Sequence, residues 1–362
     1  MTRLTSYLFV LAFLLPLKGI SQDQKQSGTG SDTPSGYITI GLLLPDHSHS
    51  EVIEAAEFAI QEANAAGAYK GREFKLVIRT AEGFWGAGSK ESVSLVYEDQ
   101  VRAIVGALDG RNGHLAEQVA TKSHLSYIET YATEPTLSQA FVPWFMRVVP
   151  NDRQQSLAIV NQIQNKGGGK IGILSTPDYD TRYAVRSLTK EIAARSFSAP
   201  VVFEVDTSDI QKEELLKRIM NRKLDHLVIP FDADYLKDLI SALRAEKPDL
   251  NVYGTLHFTM GAESRESGWD PYEGVHMIAP LFDKAKYPAL PDSRSAYMYD
   301  AIKLVVHAIR QAGTDRVDIT DYISDSIYPH AITGSISFDE LGNRQAAATL
   351  IRIRNGLPEL IK

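Results

Sequence analysis

Cysteine is absent from all 362 residues, so no disulfide staples the fold, no lipid is attached through a thiol, and no thiolate can help complete a zinc site. Basic tracts of five or more residues are absent as well, and the formal charge is −7. Both observations argue against nucleic acid and anionic membrane surfaces as partners. Signatures of catalysis are lacking too. Lys170 follows Gly167, Gly168 and Gly169, but the Ser or Thr that a phosphate loop needs does not come next. GFWGAG at 83–88 is not the dinucleotide fingerprint, and no G-x-S-x-G elbow occurs. His47 and His49 lie near carboxylates, but no further ligand stands at a recognised spacing, so the pair reads as a turn rich in cap residues. The expectation is a protein that is not an enzyme and carries neither cofactor nor metal; an exported enzyme working in a cleft is the rival from another class.

Long apolar runs are scarce. The one that exists, Leu8 to Leu17, follows Arg3 and precedes the small residues Gly19 and Ser21. It is short for a span of ~20 residues and reads as a secretory signal peptide over 1–21, cleaved after Ser21, with a retained anchor as the alternative. Cleavage removes the two positive charges of Arg3 and Lys18, which takes the formal charge from −7 to −9. A periplasmic location without stable membrane insertion is expected. Residues 22–36 are polar and glycine-rich and read as a flexible linker.

What remains is ordinary globular composition, 44% hydrophobic and 23% charged, in a chain longer than one core usually organises. From Tyr37 onward strand and helix alternate. YITIGLLL (37–44) is apolar throughout, as in a strand buried on both faces. Ser48 and Glu51 fit a capping box for the helix after it. Strands follow at 74–80, 101–107 and 124–129, with helices at 88–98 and 115–122 between them. The same rhythm restarts at IGILS (171–175) and continues with strands at 201–205, 226–231 and 251–256 and helices at 212–221 and 233–245. Repeated units of this size predict two doubly wound α/β lobes. Residues 274–281 and 297–313 add a strand and a helix to either lobe. The C-terminus reads as antiparallel strands joined by a turn at Glu340 to Asn343.

Open α/β sheets bind ligands at the carboxyl ends of their strands. In VGALDGRNGHLAEQ (105–118) the turn Asp109-Gly-Arg111-Asn112-Gly113 precedes a helix predicted to start at Leu115. The unsatisfied amides of that helix, an Arg111 clamp for a carboxylate and Asp109 for an ammonium would make half of a binding site. A solvated turn is the other reading. Phe84 and Trp85, in the loop after the second strand, either pack on ligand or fill the lobe interface, and Tyr179 has the same two readings. Thr133 before Glu134-Pro135 suits a helix N-cap.

Several stretches in order, IGLLLP (40–45), 55–80, VRAIVGAL (101–108), YATEPTLS (131–138), FMRVVPND (145–152), YDA (299–301) and TGSISFDELGNR (333–344), give the chain from about residue 37 onward its resemblance to the type I periplasmic binding proteins. Within these it is similar to the branched-chain amino-acid (Leu/Ile/Val) receptor group. The resemblance implies two Rossmann-like doubly wound lobes joined by three hinge crossovers, near Arg147–Asn151, Glu273–Ala279 and Ile332–Ser335. Lobe one then comprises 37–148 and 278–332, and lobe two 149–277 and 333–362. It also implies a small-molecule solute trapped in the cleft and delivered to a membrane ABC permease. By the same resemblance Thr133 contacts the ligand carboxylate, with Tyr131 and Ala132 just before it, Tyr179 packs on the ligand, and Asp232, or else Asp234, accepts its ammonium. The family's serine-containing turn is replaced here by Gly106 to Gly113. That departure implies a ligand different from leucine; the expected solute is small and polar, an amino acid or a related anionic or zwitterionic compound, and a ligand-sensing receptor of the same fold is the alternative role.

Overall fold

The computed structural model describes residues 36–82, 86–206, 211–232, 236–263 and 268–361. Phe84, Trp85, Asp234 and the predicted signal peptide lie outside them, as does nearly all of the predicted linker. The first sheet is built from β1 (Tyr37–Leu44), β2 (Glu73–Thr80), β3 (Ile104–Gly106), β4 (Tyr127–Glu129) and β5 (Phe145–Arg147), in the order β2-β1-β3-β4-β5 and parallel throughout. Alternation along β1 divides the core. Ile38, Ile40, Leu42 and Leu44 join a cluster containing Val52, Ala56 and Ile60 of α1 (Ser50–Ala65), whereas Leu43 joins Leu95 of α2 (Ala87–Tyr97) and Ala116 of α3 (Gly110–Ser123). Helices therefore cover both faces, as an all-parallel sheet requires.

The second sheet runs β12-β11-β10-β9-β8-β6-β7, from β6 (Ile171–Ser175), β7 (Val201–Glu204), β8 (His226–Ile229), β9 (Asn251–Gly254), β10 (His276–Ile278), β11 (Leu350–Arg354) and β12 (Leu357–Leu360). Its parallel part repeats the order of the first sheet, while β11 and β12 pair antiparallel at one edge. Their connection is Asn355-Gly356, with φ of 53° and 67°. Two successive left-handed residues match the strand twist, and this is the hairpin turn. The turn at Glu340–Asn343 closes only an isolated bridge between Phe338 and Arg344. The strand left open by sequence, β10, belongs to the second sheet.

Other local expectations are corrected. Asp46 accepts bonds from the Ser48 amide and hydroxyl (2.7 and 2.5 Å) and from His49 Nδ1 (3.1 Å), so Ser48 caps no helix, and α1 begins at Ser50. Helix α3 starts at Gly110 rather than Leu115 because the Asp109 carboxylate caps it, accepting the Asn112 amide at 2.8 Å. Glu134, not Thr133, caps the short 3-10 turn Pro135–Ala140. The strand expected to run to residue 256 ends at Gly254, and Leu256–Glu263 is a helix, α8. Helix α4 (Asp152–Asn165) opens on the capping box of Asn151 and Gln154.

Buried arginines and acids organise the chain between the sheets. Asp300 of α9 (Ser293–Ala312), a helix that packs on α1, accepts the amides of Ile332 and Thr333 at 2.8 and 2.9 Å and the Thr333 hydroxyl at 2.6 Å. Arg344 donates to the Val148 carbonyl, to Thr333 and to the Ser335 carbonyl, all within 2.9–3.1 Å. One guanidinium thus ties residue 148 to the segment 333–335.

Candidate functional site

In both sheets the strand order reverses beside the first strand, between β1 and β3 and between β6 and β8. Such switch points leave a crevice at the carboxyl ends of the strands. The chain leaving β3 enters α3 at Asp109, and the chain leaving β6 enters α5 (Tyr179–Ala194) at its cap Asp178. These two helix starts meet. The Gly110 amide donates to both Asp180 oxygens, at 3.1 and 3.3 Å.

Asp109 commits its carboxylate to its own helix, accepting the Asn112 amide and, at 2.9 Å, the Asn112 side-chain amide. Arg111 is exposed, and its guanidinium lies 5.5 Å from the centre of the Tyr179 ring. The structure thus brings Arg111 to Tyr179, and Asn112 to Asp109.

The loop after β4 is fixed from behind on both sides of its backbone. Glu129, fully buried, accepts the amides of Thr130, Tyr131 and Ala132 at 2.9, 2.7 and 3.1 Å, and the Tyr127 hydroxyl. Arg147, also fully buried, donates to the carbonyls of Ala132 and Glu134 at 3.1 and 2.6 Å. Ala132 is buried, and the Thr133 hydroxyl donates to Asp152 at 2.7 Å. The loop therefore presents Tyr131. Its ring stacks on His257 of α8 at 4.6 Å, and His257 Nε2 is 3.1 Å from the Tyr131 carbonyl. Over the same tyrosine, 5.7 Å from its ring centre, stands Arg294, the second residue of α9. Arg294 contacts Glu51 at 3.8 Å and Asp232, just beyond β8, at 3.7 Å, and its buried Nε has no hydrogen-bond partner among the described residues.

Sequence reasoning singled out Tyr131, Tyr179 and Asp232 but passed over Asp180, His257 and Arg294. Asp180 lies in the stretch 176–181 that the rule for loops after strands selects together with Tyr179, but it was given no role of its own. His257 and Arg294 carried no comparable signal.

Acids dominate this region, and their ionisation is perturbed. Burial raises Asp180 to about 7, helped by Asp109, Asp152 and Asp178, against the opposing bond from Gly110. Burial also raises Asp152 to about 7 and Glu129 to about 8. His114, between Glu117 (3.3 Å) and Glu134 (2.9 Å), is raised to about 9 by bonds to those two carboxylates. A folded-state pKa above the unfolded one means that the folded chain holds protons the unfolded chain has released, so stability falls as pH rises toward that value. The buried histidines His226, His257 and His276 are held below their ordinary value by burial and act in the opposite sense, but only below about pH 6.5, where unfolded histidine titrates. Thermal stability should therefore decline between about pH 6.5 and pH 9. A melting temperature that is flat or rising across that window would contradict the assignment.

Among the described residues no group of three or more His, Cys, Asp or Glu side chains is placed to hold a metal ion, and no helix is long and apolar enough to cross a membrane.

A profile of the periplasmic binding protein family matches residues 37–356. Among solved structures, the branched-chain amino-acid transporter substrate-binding protein LivJ of Streptococcus pneumoniae, in complex with isoleucine, superposes with a TM-score of 0.71 at 21% identity, covering 89% of this chain and 98% of that one. A solute-binding protein of an ABC transporter from Rhodopseudomonas palustris, in complex with 3,4-dihydroxybenzoic acid, superposes with a TM-score of 0.76 at 16% identity, covering 90% and 96%. These likenesses concern the fold. Glutamate receptor 3.7 of Arabidopsis thaliana is 26% identical over 293 residues, 75% of this chain, and the match spans 32% of the receptor's length.

Proposed function

The chain belongs to the periplasmic binding protein family, whose members bind solutes without acting on them as enzymes, and from that premise we propose that it traps a small polar solute, an amino acid or a related compound, between its two lobes and delivers it to a membrane ABC permease. One observation carries the reading. At the carboxyl ends of the parallel strands of two similarly ordered sheets, groups from one side meet groups from the other: Gly110 with Asp180, Tyr131 with His257, and Arg294 with Asp232. A solute touching both sides stabilises the shut arrangement by its differential affinity for it, which is the physical content of ligand-driven closure. Export to the periplasm through the leader at 1–21 is part of this reading.

Thermal-shift and calorimetric titration against amino acids, amides, amines and carboxylates, including isoleucine and 3,4-dihydroxybenzoate, is the direct test, since stabilisation follows ligand concentration relative to affinity. Failure of the whole panel to bind would remove the reading. Arg294 is the half-buried cation facing the acids of this region, so Arg294→Gln should weaken any solute carrying an acidic group by about 1.5–3 kcal/mol, as for a charge-assisted bond. Unchanged affinity for such solutes would make Arg294 a purely structural ion-pair residue.

The match to a plant glutamate receptor favours one second reading, a ligand-sensing domain that presents its shut form to a membrane partner. Co-purification with a permease supports transport, and co-purification with a signalling partner supports sensing.

A further inference from the structure

Two chemically distinct ends lie along the meeting line of the lobes. At one, the amide that opens α3 already has the Asp180 carboxylate against it, and Asp109, Asp152 and Asp178 lie within electrostatic reach of Asp180. Asp152 is 2% exposed; its Oδ1 takes the Thr133 hydroxyl, and its Oδ2 has no hydrogen-bond partner among the described residues. At the other end stands Arg294, whose contacts to Glu51 and Asp232 are ion pairs longer than hydrogen bonds and whose buried Nε has no hydrogen-bond partner among the described residues.

A helix amino end normally receives anions, because its first amides are unpaired and the macrodipole is positive there. Here that role is filled from across the cleft by a side chain of this same protein. A solute carboxylate arriving at α3 would have to displace Asp180 and sit among Asp109, Asp152 and Asp178. A cationic amino group arriving there would meet the acids Asp109, Asp152, Asp178 and Asp180, opposed by the macrodipole of α3 and by Arg147 beside Asp152, and it would give the orphaned Asp152 oxygen the donor that it lacks among the described residues.

We propose that Asp180 is a specificity-determining residue: by filling the anion-receiving end of α3 it orients the solute so that an amino cation faces Asp152 and Asp180, and an acidic group, where the solute has one, faces Arg294. The assignment rests on the solute-trapping reading and deepens it. It also reverses the orientation that the family resemblance implied, in which Thr133 takes the carboxylate and Asp232 the ammonium. The Thr133 hydroxyl donates to Asp152, and Arg294 stands between Glu51 and Asp232, which is the arrangement the reversed polarity needs.

Calorimetric titration of the wild-type chain, Asp180→Ala and the near-isosteric Asp180→Asn with leucine, leucinamide and 4-methylpentanoate separates the two ends, with circular dichroism checking that the variants fold. Wild type should hold the two amine-bearing probes at least about tenfold tighter than 4-methylpentanoate. Asp180→Ala should weaken the amine-bearing probes by about tenfold or more and tighten 4-methylpentanoate, with Asp180→Asn moving the same way. Binding in which the preference among the probes does not change in either variant, or in which wild type favours 4-methylpentanoate, overturns the assignment and leaves solute trapping standing. If no probe binds any of the three proteins, the assignment loses, and solute trapping falls with it only when the wider panel also fails to bind.

Discussion

Replacing Arg147 by methionine is expected to lower folding stability by about 3–5 kcal/mol, the usual consequence of removing one member of a buried, hydrogen-bonded charge network. Arg147 is fully buried and uses two guanidinium nitrogens for four bonds, to the Ala132 and Glu134 carbonyls, the Ser138 hydroxyl and the Asn343 side chain. Methionine fills most of the volume, so the loss is polar rather than a cavity effect. Its removal strands these acceptors and withdraws the positive charge that offsets Glu129, Glu134 and Asp152. Because Asn343 lies at the far end of the chain and also accepts from Asn151 at 3.1 Å, the loss should spread to the connection between the sheets. Urea denaturation at constant slope measures it. A midpoint shift worth less than about 1 kcal/mol would mean that water or a neighbouring side chain satisfies those acceptors.

Gly110→Ala should weaken solute binding by about 1–3 kcal/mol, roughly 5- to 150-fold, through overpacking. A β-carbon there would lie 2.5 Å from Glu134 Cγ, 2.6 Å from Asp180 Oδ1 and 3.2 Å from Tyr179 Cε1. Two of these groups belong to α5 and approach α3 only where the lobes meet, so their share of the strain falls on the shut form, whereas the Glu134 contact lies within the lobe of Gly110 and strains both forms. Glu134 cannot swing aside without breaking its bonds to Thr136 and its pairing with His114. Against that stands the better helix propensity of alanine, up to ~1 kcal/mol, so the melting temperature of the protein by itself should change less than its affinity. Equal affinity for wild type and variant would show that Gly110 does not stand in the contact that solute binding closes.

The architecture was legible because its signal is repeated and local. Apolar runs such as 37–44 and 171–175, each followed by a helical period, announce strands buried on both faces, and two sets of them announce two sheets. Boundaries were less legible where a capping side chain outweighed propensity. Two glycines in Gly-Arg-Asn-Gly suggested a loop, yet the Asp109 carboxylate starts a helix there. The hairpin was misplaced because a glycine turn at 340–343 drew attention from the stronger Asn355-Gly356 signal. Of the candidate site, Tyr131, Tyr179 and Asp232 were singled out by their places in loops after strands and by the family resemblance. Asp180 was hidden because an acid in the first turn of a helix is ordinary complementation of the helix dipole. His257 and Arg294 were hidden because only the packing of chain segments far apart in sequence brings them to Tyr131.

The clamp behind the loop after β4 has a consequence for how such a protein diversifies. Glu129 holds three of the loop's amides and Arg147 two of its carbonyls, and both are fully buried. On the proposed solute-trapping reading, recognition at this loop is thereby separated from its shape: the backbone trace is a fixed frame, and Tyr131 is an exchangeable insert. A lineage that keeps the buried pair is free to vary position 131 and so to explore new solutes by single substitutions, without first having to reinvent the loop.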